Sequence, residues 1–184
     1  MPDSKAKPKI VIHVCCAVCG AYLIELLKKD YTPIIFFYNP NVHPREEYEK
    51  RKNSARKLAG IYDAEFIEGN YDDQNWFEKI KSFENEPEGG KRCPVCFKVR
   101  LYETAMLAKN KNASYFTATL AASPYKDENL INSIGDEIAK ELNLNFIKLN
   151  NLENKQNIWK KTRELAKKYN FYHQKYCGCV FSQK

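Results

Sequence analysis

The chain has 184 residues, of which 43% are hydrophobic and 29% charged, a balance that excludes intrinsic disorder and fits a single domain. Seven Gly and eight Pro exclude a collagen-like or low-complexity chain. The formal charge of +7 is local: residues 1–154 carry 22 basic and 22 acidic side chains, and residues 155–184 carry eight basic ones against Glu164 alone. The longest apolar runs are about half a dozen residues, against the ~20 of a spanning helix, so no membrane partner is expected. The polar stretch before Ile10 lacks the apolar region of a signal peptide, which makes a soluble cytoplasmic protein the expectation.

The β-branched run 9–14 reads as a buried first strand, followed by a helix over about 19–29 with Tyr22, Leu23, Leu26 and Leu27 inward. Residues 33–38 form a second buried strand, stopped by Asn39-Pro40-Asn41. Pro44 opens a charged helix and Gly60 closes it. A short strand at 64–67 leads to a helix that Asp72 or Asp73 can cap. After a polar loop over 82–92, Pro94 begins a helix with the stripe Val95, Val99, Tyr102 and Met106. A fourth strand at 114–119, a helix from Asp127, a weak strand at 145–147 and a basic helix over about 155–169 complete the order.

Strands and helices alternating five times predict an α/β fold, a doubly wound parallel sheet covered on both faces. Such sheets bind ligands at the carboxyl ends of their strands. That rule gathers 15–19, 38–43, 70–73 and 119–126 onto one edge.

The chemistry lies in seven cysteines in three groups: Cys15, Cys16 and Cys19 after the first strand, Cys93 and Cys96 at a helix start, and Cys177 and Cys179 at the chain end. Structural disulfides do not suit a cytoplasmic chain, and close-spaced thiolates at turns suit a soft metal. A positive helix end, with Lys91 and Arg92 beside it, would favour thiolates at Cys93 (read as the N-cap) and Cys96. Structural zinc needs only four ligands and leaves three cysteines unexplained, so an iron–sulfur cluster with a further metal or redox centre is the favoured reading. Neither a dinucleotide-binding G-x-G-x-x-G nor a phosphate-binding P-loop follows the first strand, which disfavours NAD and ATP. Trp159, Tyr169, Phe171, Tyr172 and Tyr176 interleave with the C-terminal cations, a pattern suited to stacking on unpaired bases.

In its residues 13–19, 37–44, 68–72, 92–97 with Arg100-Leu101, 123–126 and 176–179, the chain resembles the non-cobalamin (QueH-type) epoxyqueuosine reductases. One departure is Val18, where many relatives have proline. The resemblance implies an adenine nucleotide alpha-hydrolase-like (HUP-like) fold whose ATP-binding turn is replaced by cysteines. It also implies a 4Fe-4S enzyme that reduces epoxyqueuosine at the wobble position of tRNA with a GUN anticodon, the last step of queuosine biosynthesis. An external electron donor is required, and surplus thiolates could hold a second, mononuclear iron.

On this reading Cys93 and Cys96 hold the cluster, joined by Cys16 or one of the C-terminal pair. Cys15, Cys177 and Cys179 are candidates for the second centre, Asp72 for a carboxylate ligand, and Cys19 for a ligand or for packing beneath the turn. Tyr38, Asn39, His13, Tyr125 and Lys126 are candidates for orienting substrate or moving protons, with core packing as the alternative for His13. RNA contacts are expected from Arg92, Lys98, Arg100, Lys160, Lys161, Arg163, Lys167 and Lys168. The competing functions are a cluster-dependent tRNA sulfur transferase, which lacks its Ser-Gly-Gly-x-Asp-Ser turn here, and a zinc-stapled RNA-binding module.

Overall fold

The computed structural model describes residues 6–183. Its elements are β1 (Lys9–His13), α1 (Ala17–Leu27), β2 (Thr32–Phe37), α2 (Arg45–Tyr62), β3 (Glu65–Glu68) and α3 (Asp73–Ile80). They continue with α4 (Arg92–Asn110), β4 (Tyr115–Ala118), α5 (Glu128–Leu142), β5 (Asn145–Phe146) and α6 (Lys155–Lys168).

The strands form one parallel sheet in the order β3-β2-β1-β4-β5. Parallel neighbours require crossovers, and helices supply them on both faces: α1 packs with α2 and α6, and α4 with α3 and α5. Ile10, Val11 and Ile12 of β1 are fully buried, as a central strand covered twice must be. The chain builds outward from β1 to β3, then crosses to β4 on the other side of β1, which opens the ligand crevice between the ends of β1 and β4. His13 is level with both Phe36 and Ala118, so the segments leaving these three strands emerge side by side.

Three local expectations are corrected. Helix α2 runs through Gly60 to Tyr62, because Asp63 adopts the left-handed conformation (φ 52°) and donates its N–H to the carbonyls of Ala59 and Gly60. Helix α4 begins at Arg92, so Cys93 lies inside its first turn and Lys91 is the cap; Pro94 is tolerated where no intrahelical N–H is needed. The face of α4 that enters the core carries Phe97, Leu101, Ala105 and Ala108, whereas Val95, Val99, Tyr102 and Met106 are half-buried on its flank.

The segment after α6 returns to the carboxyl edge and is held there by Arg51 of α2. Its Nη1 and Nη2 donate to the carbonyls of Cys177 and Tyr176, both at 2.9 Å, and Nε pairs with Glu47 at 2.8 Å. Glu47 also accepts from the Tyr172 hydroxyl, and the His43 N–H donates to the Gly178 carbonyl at 2.8 Å. Gly178 has φ +109°, and a Cβ there would lie 2.8 Å from Arg51 Nη1, so only glycine allows this approach.

Replacing Arg51 by Met should therefore lower stability by about 3–5 kcal/mol, since Glu47 is left buried without its counter-charge. It should also speed alkylation of Cys177, read by urea denaturation and by mass spectrometry of labelled peptides. At Gly135, an added Cβ would sit 2.5 Å from the Phe146 ring, so Gly135→Ala should cost about 1–3 kcal/mol despite its better helix propensity, measured in the same urea titration.

Candidate metal centre and substrate cavity

Cys15 and Cys16 occupy the turn that β1 feeds into α1. Cys16 is the N-cap: its sulfur accepts the Cys19 N–H at 3.4 Å and also the Gln174 Nε2–H at 2.9 Å. Thr119, at the end of β4, lies 3.4 Å through Oγ1 from the Cys15 sulfur and accepts the Cys15 N–H at 3.3 Å. The sulfurs of Cys15, Cys16 and Cys19 lie within 4.8 Å of one another, the sole such group of metal-ligating side chains among the described residues. Thiolates on one tetrahedral ion stand roughly 3.8 Å apart at metal–sulfur distances near 2.3 Å, so this convergence suits a single ion. Hydrogen bonds from Cys16 and Cys19 hold the Cys15 thiol well below its ordinary pKa, with Lys126 and His13 adding to the effect. The contact with Cys15 and burial push Cys16 up to about 12 against a lowering contact from Cys19, and the contacts with Cys15 and Cys16, with burial, push Cys19 well upward.

Cys93, Cys96, Cys177 and Cys179 surround a second, small cavity of about 20 Å³, with Trp76, Arg92 and Arg100 in its wall. Their sulfurs do not converge as the first group does, a spread that suits a cluster whose irons occupy separate corners. Two buried donors line this wall: Arg100 Nη2 has no acceptor among the described residues, and Trp76 Nε1 bears on the Cys96 sulfur without reaching full hydrogen-bond geometry. A group bearing sulfide would give both a partner, so the donor set fits an iron–sulfur cluster. Burial pushes the Cys96 and Cys179 thiols up, so the positive helix end does not govern Cys96 as expected.

Cys177 borders both cavities. On its other side lies an open cavity of about 390 Å³ lined by Cys15, Cys19, Arg100, Tyr125, Lys126 and Trp159, among others. Burial works against the Lys126 charge, but the Cys177 and Cys15 sulfurs outweigh it and raise its pKa. Tyr125, 83% exposed, stands edge-on to Trp159 with ring centroids 6.4 Å apart. Trp159 and His173 continue into a groove of about 680 Å³ along α6, lined also by Lys160, Arg163 and Lys167.

The structure redistributes several candidates. Cys179 shares a cavity with Cys93 and Cys96 and not with Cys15, whereas Cys16 and Cys19 lie beside Cys15. The exposed Asp72 caps α3, accepting the Asn75 N–H at 3.1 Å, and lies outside both sulfur groups. His13 is fully buried with Nε2 2.9 Å from the Tyr38 carbonyl, and burial first, then Arg100, lower its pKa to about 4. Asn39 is buried and donates to the Val14 carbonyl at 3.0 Å; Tyr38 stacks on Phe36 and faces a cavity between α3 and α4 instead of the cysteine cavity.

Arg92 and Arg100 are corrected as RNA contacts, because they are only 2% and 1% exposed. Arg92 Nη1 donates to the carbonyls of Phe83, Glu84 and Glu86, pinning the loop before α4. Lys98 is exposed but paired with Glu137 at 3.1 Å, while Lys160, Lys161, Arg163, Lys167 and Lys168 are exposed on α6. Sequence reasoning misses Arg51, Thr119 and Gln174. Glu47 four residues before Arg51 is the one available signal, and Gln174 carries none.

The family profile described as Epoxyqueuosine reductase QueH matches residues 10–184. Epoxyqueuosine reductase QueH of Haemophilus influenzae is 38% identical over 183 residues, covering 99% of this chain and 74% of that protein. Its counterpart in Streptococcus pyogenes is 33% identical over 184 residues, covering 97% of this chain and 71% of that one. Among solved structures, one titled a predicted subunit of tRNA methyltransferase from Methanocaldococcus jannaschii aligns with a TM-score of 0.55 at 17% identity, over 86% of this chain and 76% of that chain. That likeness shows the fold alone, the expected doubly wound parallel sheet. No helix among the described residues is long and apolar enough to cross a membrane. With a match along nearly its whole length and the cysteines gathered at the sheet edge, the chain belongs to the epoxyqueuosine reductase QueH family.

Proposed function

We propose that this chain reduces epoxyqueuosine to queuosine at the wobble position of tRNA. One observation carries the reading: a cavity with cysteine sulfurs at its floor has an aromatic pair at its mouth and a basic groove beyond. Removing an epoxide oxygen to leave an alkene consumes two electrons and two protons and releases water. The electrons come from an external reductant. When bound, an iron–sulfur cluster supplies low-potential electrons one at a time, and a mononuclear iron supplies a Lewis acid. Cys93, Cys96, Cys177 and Cys179 would hold the first, and Cys15, Cys16 and Cys19 the second.

The protein's own groups do the rest. A wobble nucleoside must leave the anticodon stack to reach the cavity, and Tyr125 with Trp159 offers faces on which it restacks. Exposed Lys160, Lys161, Arg163, Lys167 and Lys168 hold the flanking phosphates by charge. Lys126 keeps a proton at Nζ beside Cys15 and Cys177 and delivers it to the departing oxygen, and the second proton comes from water in the open cavity.

Anaerobic protein with a low-potential reductant and epoxyqueuosine-containing tRNA should yield a nucleoside lighter by one oxygen, read by mass spectrometry. An unchanged nucleoside beside an intact cluster would contradict the reading. Changing Lys160, Lys161 and Arg163 together to Ala should weaken tRNA binding and reduce the salt slope of log K by roughly two, with metal content unchanged. Lys126→Met should lower kcat by about 10²–10⁴ while tRNA affinity is retained, measured by single-turnover kinetics beside filter binding.

A further inference from the structure

Arg100 follows Cys96 by one helical turn and is 1% exposed. Its Nε donates to the Cys96 carbonyl at 3.3 Å and its guanidinium lies over Phe97 with 5.6 Å to the ring centroid, which together fix the fork. Nη2 has no partner, and no carboxylate pairs with this cation among the described residues. A buried charge in that condition is costly unless something anionic stands beside it. The groups beside it that can carry negative charge are the sulfurs of Cys96, Cys177, Cys15 and Cys93. It lines the large cavity beside Cys15 and the small one among Cys93, Cys96, Cys177 and Cys179. Among the described residues no other side chain except Glu88 and Cys177 borders both, and Glu88 is exposed.

We propose that Arg100 is a positioning residue for the iron–sulfur centre: its Nη2 donates a hydrogen bond to a sulfur of that centre, and its fixed charge raises the centre's reduction potential. The inference rests on the reading that Cys93, Cys96, Cys177 and Cys179 hold a cluster. Reduction adds negative charge, so a donor and cation on the sulfurs favour the reduced form. The substrate needs electrons delivered at low potential, and Arg100 limits how low the protein sets it.

The test is an anaerobic redox titration of reconstituted wild-type, Arg100→Gln and Arg100→Lys proteins, with iron content and thermal melting of each. Arg100→Gln should retain its fold and titrate at a more negative potential, and Arg100→Lys should recover most of the shift by keeping the charge. A folded Arg100→Gln that cannot hold the cluster, beside an Arg100→Lys that can, supports the same role. Equal potentials in all three proteins, or loss of fold in both variants, overturn it. A wild-type protein with no redox-active centre removes the underlying reading as well, whereas an intact cluster with unmoved potentials removes only the role of Arg100.

Discussion

One buried guanidinium holds the last two cysteines of this chain beside the others. Cys177 and Cys179 lie more than a hundred residues from the sheet edge where Cys15 emerges, on a segment with almost no regular structure. Arg51 ties that segment down through two backbone carbonyls, and Gly178 removes the Cβ that would keep the guanidinium away. Glu47 neutralises the cation and is itself satisfied by Tyr172, so the contact is a closed network. Without it, four cysteines around the small cavity become two.

The sheet does the complementary work. Parallel order with β1 level with β2 and β4 brings out Cys15, Tyr38 and Thr119 in one row, and the change of direction between β1 and β4 leaves a crevice for substrate. Helix α4 then presents Cys93 and Cys96 from the opposite face. The site is a meeting of three distant parts of the chain, and the electrostatics follow from that meeting. Its deepest cations, Arg51, Arg92 and Arg100, are among the largest fully buried side chains, and two of them bind carbonyl oxygens from loops.

Much of this is legible in the amino-acid sequence. Hydrophobic runs mark the strands within a residue or two, and the clustering of cysteines points to metal at the carboxyl edge. The rest is hidden for definable reasons. A buried arginine has the same letter as an exposed one, so Arg92 and Arg100 read as RNA contacts when each serves the interior. The periodic stripe of α4 falls on the flank because the true core face is built partly of small residues, Ala105 and Ala108, that carry little periodic signal. Spacing cannot pair Cys179 with Cys93 and not with Cys15, since that depends on how the last segment folds back. Gln174, the donor to Cys16, sits in the same segment and is invisible for the same reason.

The central claim is that two cysteine groups hold two distinct centres that meet at Cys177. Native mass spectrometry of anaerobically reconstituted protein tests it directly, by counting iron and sulfide in wild type, in a Cys93→Ser, Cys96→Ser double variant and in a Cys15→Ser, Cys19→Ser double variant. The account predicts that the first variant loses the sulfide-bearing cluster and keeps one metal ion, and that the second keeps the cluster and loses the ion. Loss of all metal and sulfide from both variants, or of the same species from each, would contradict it.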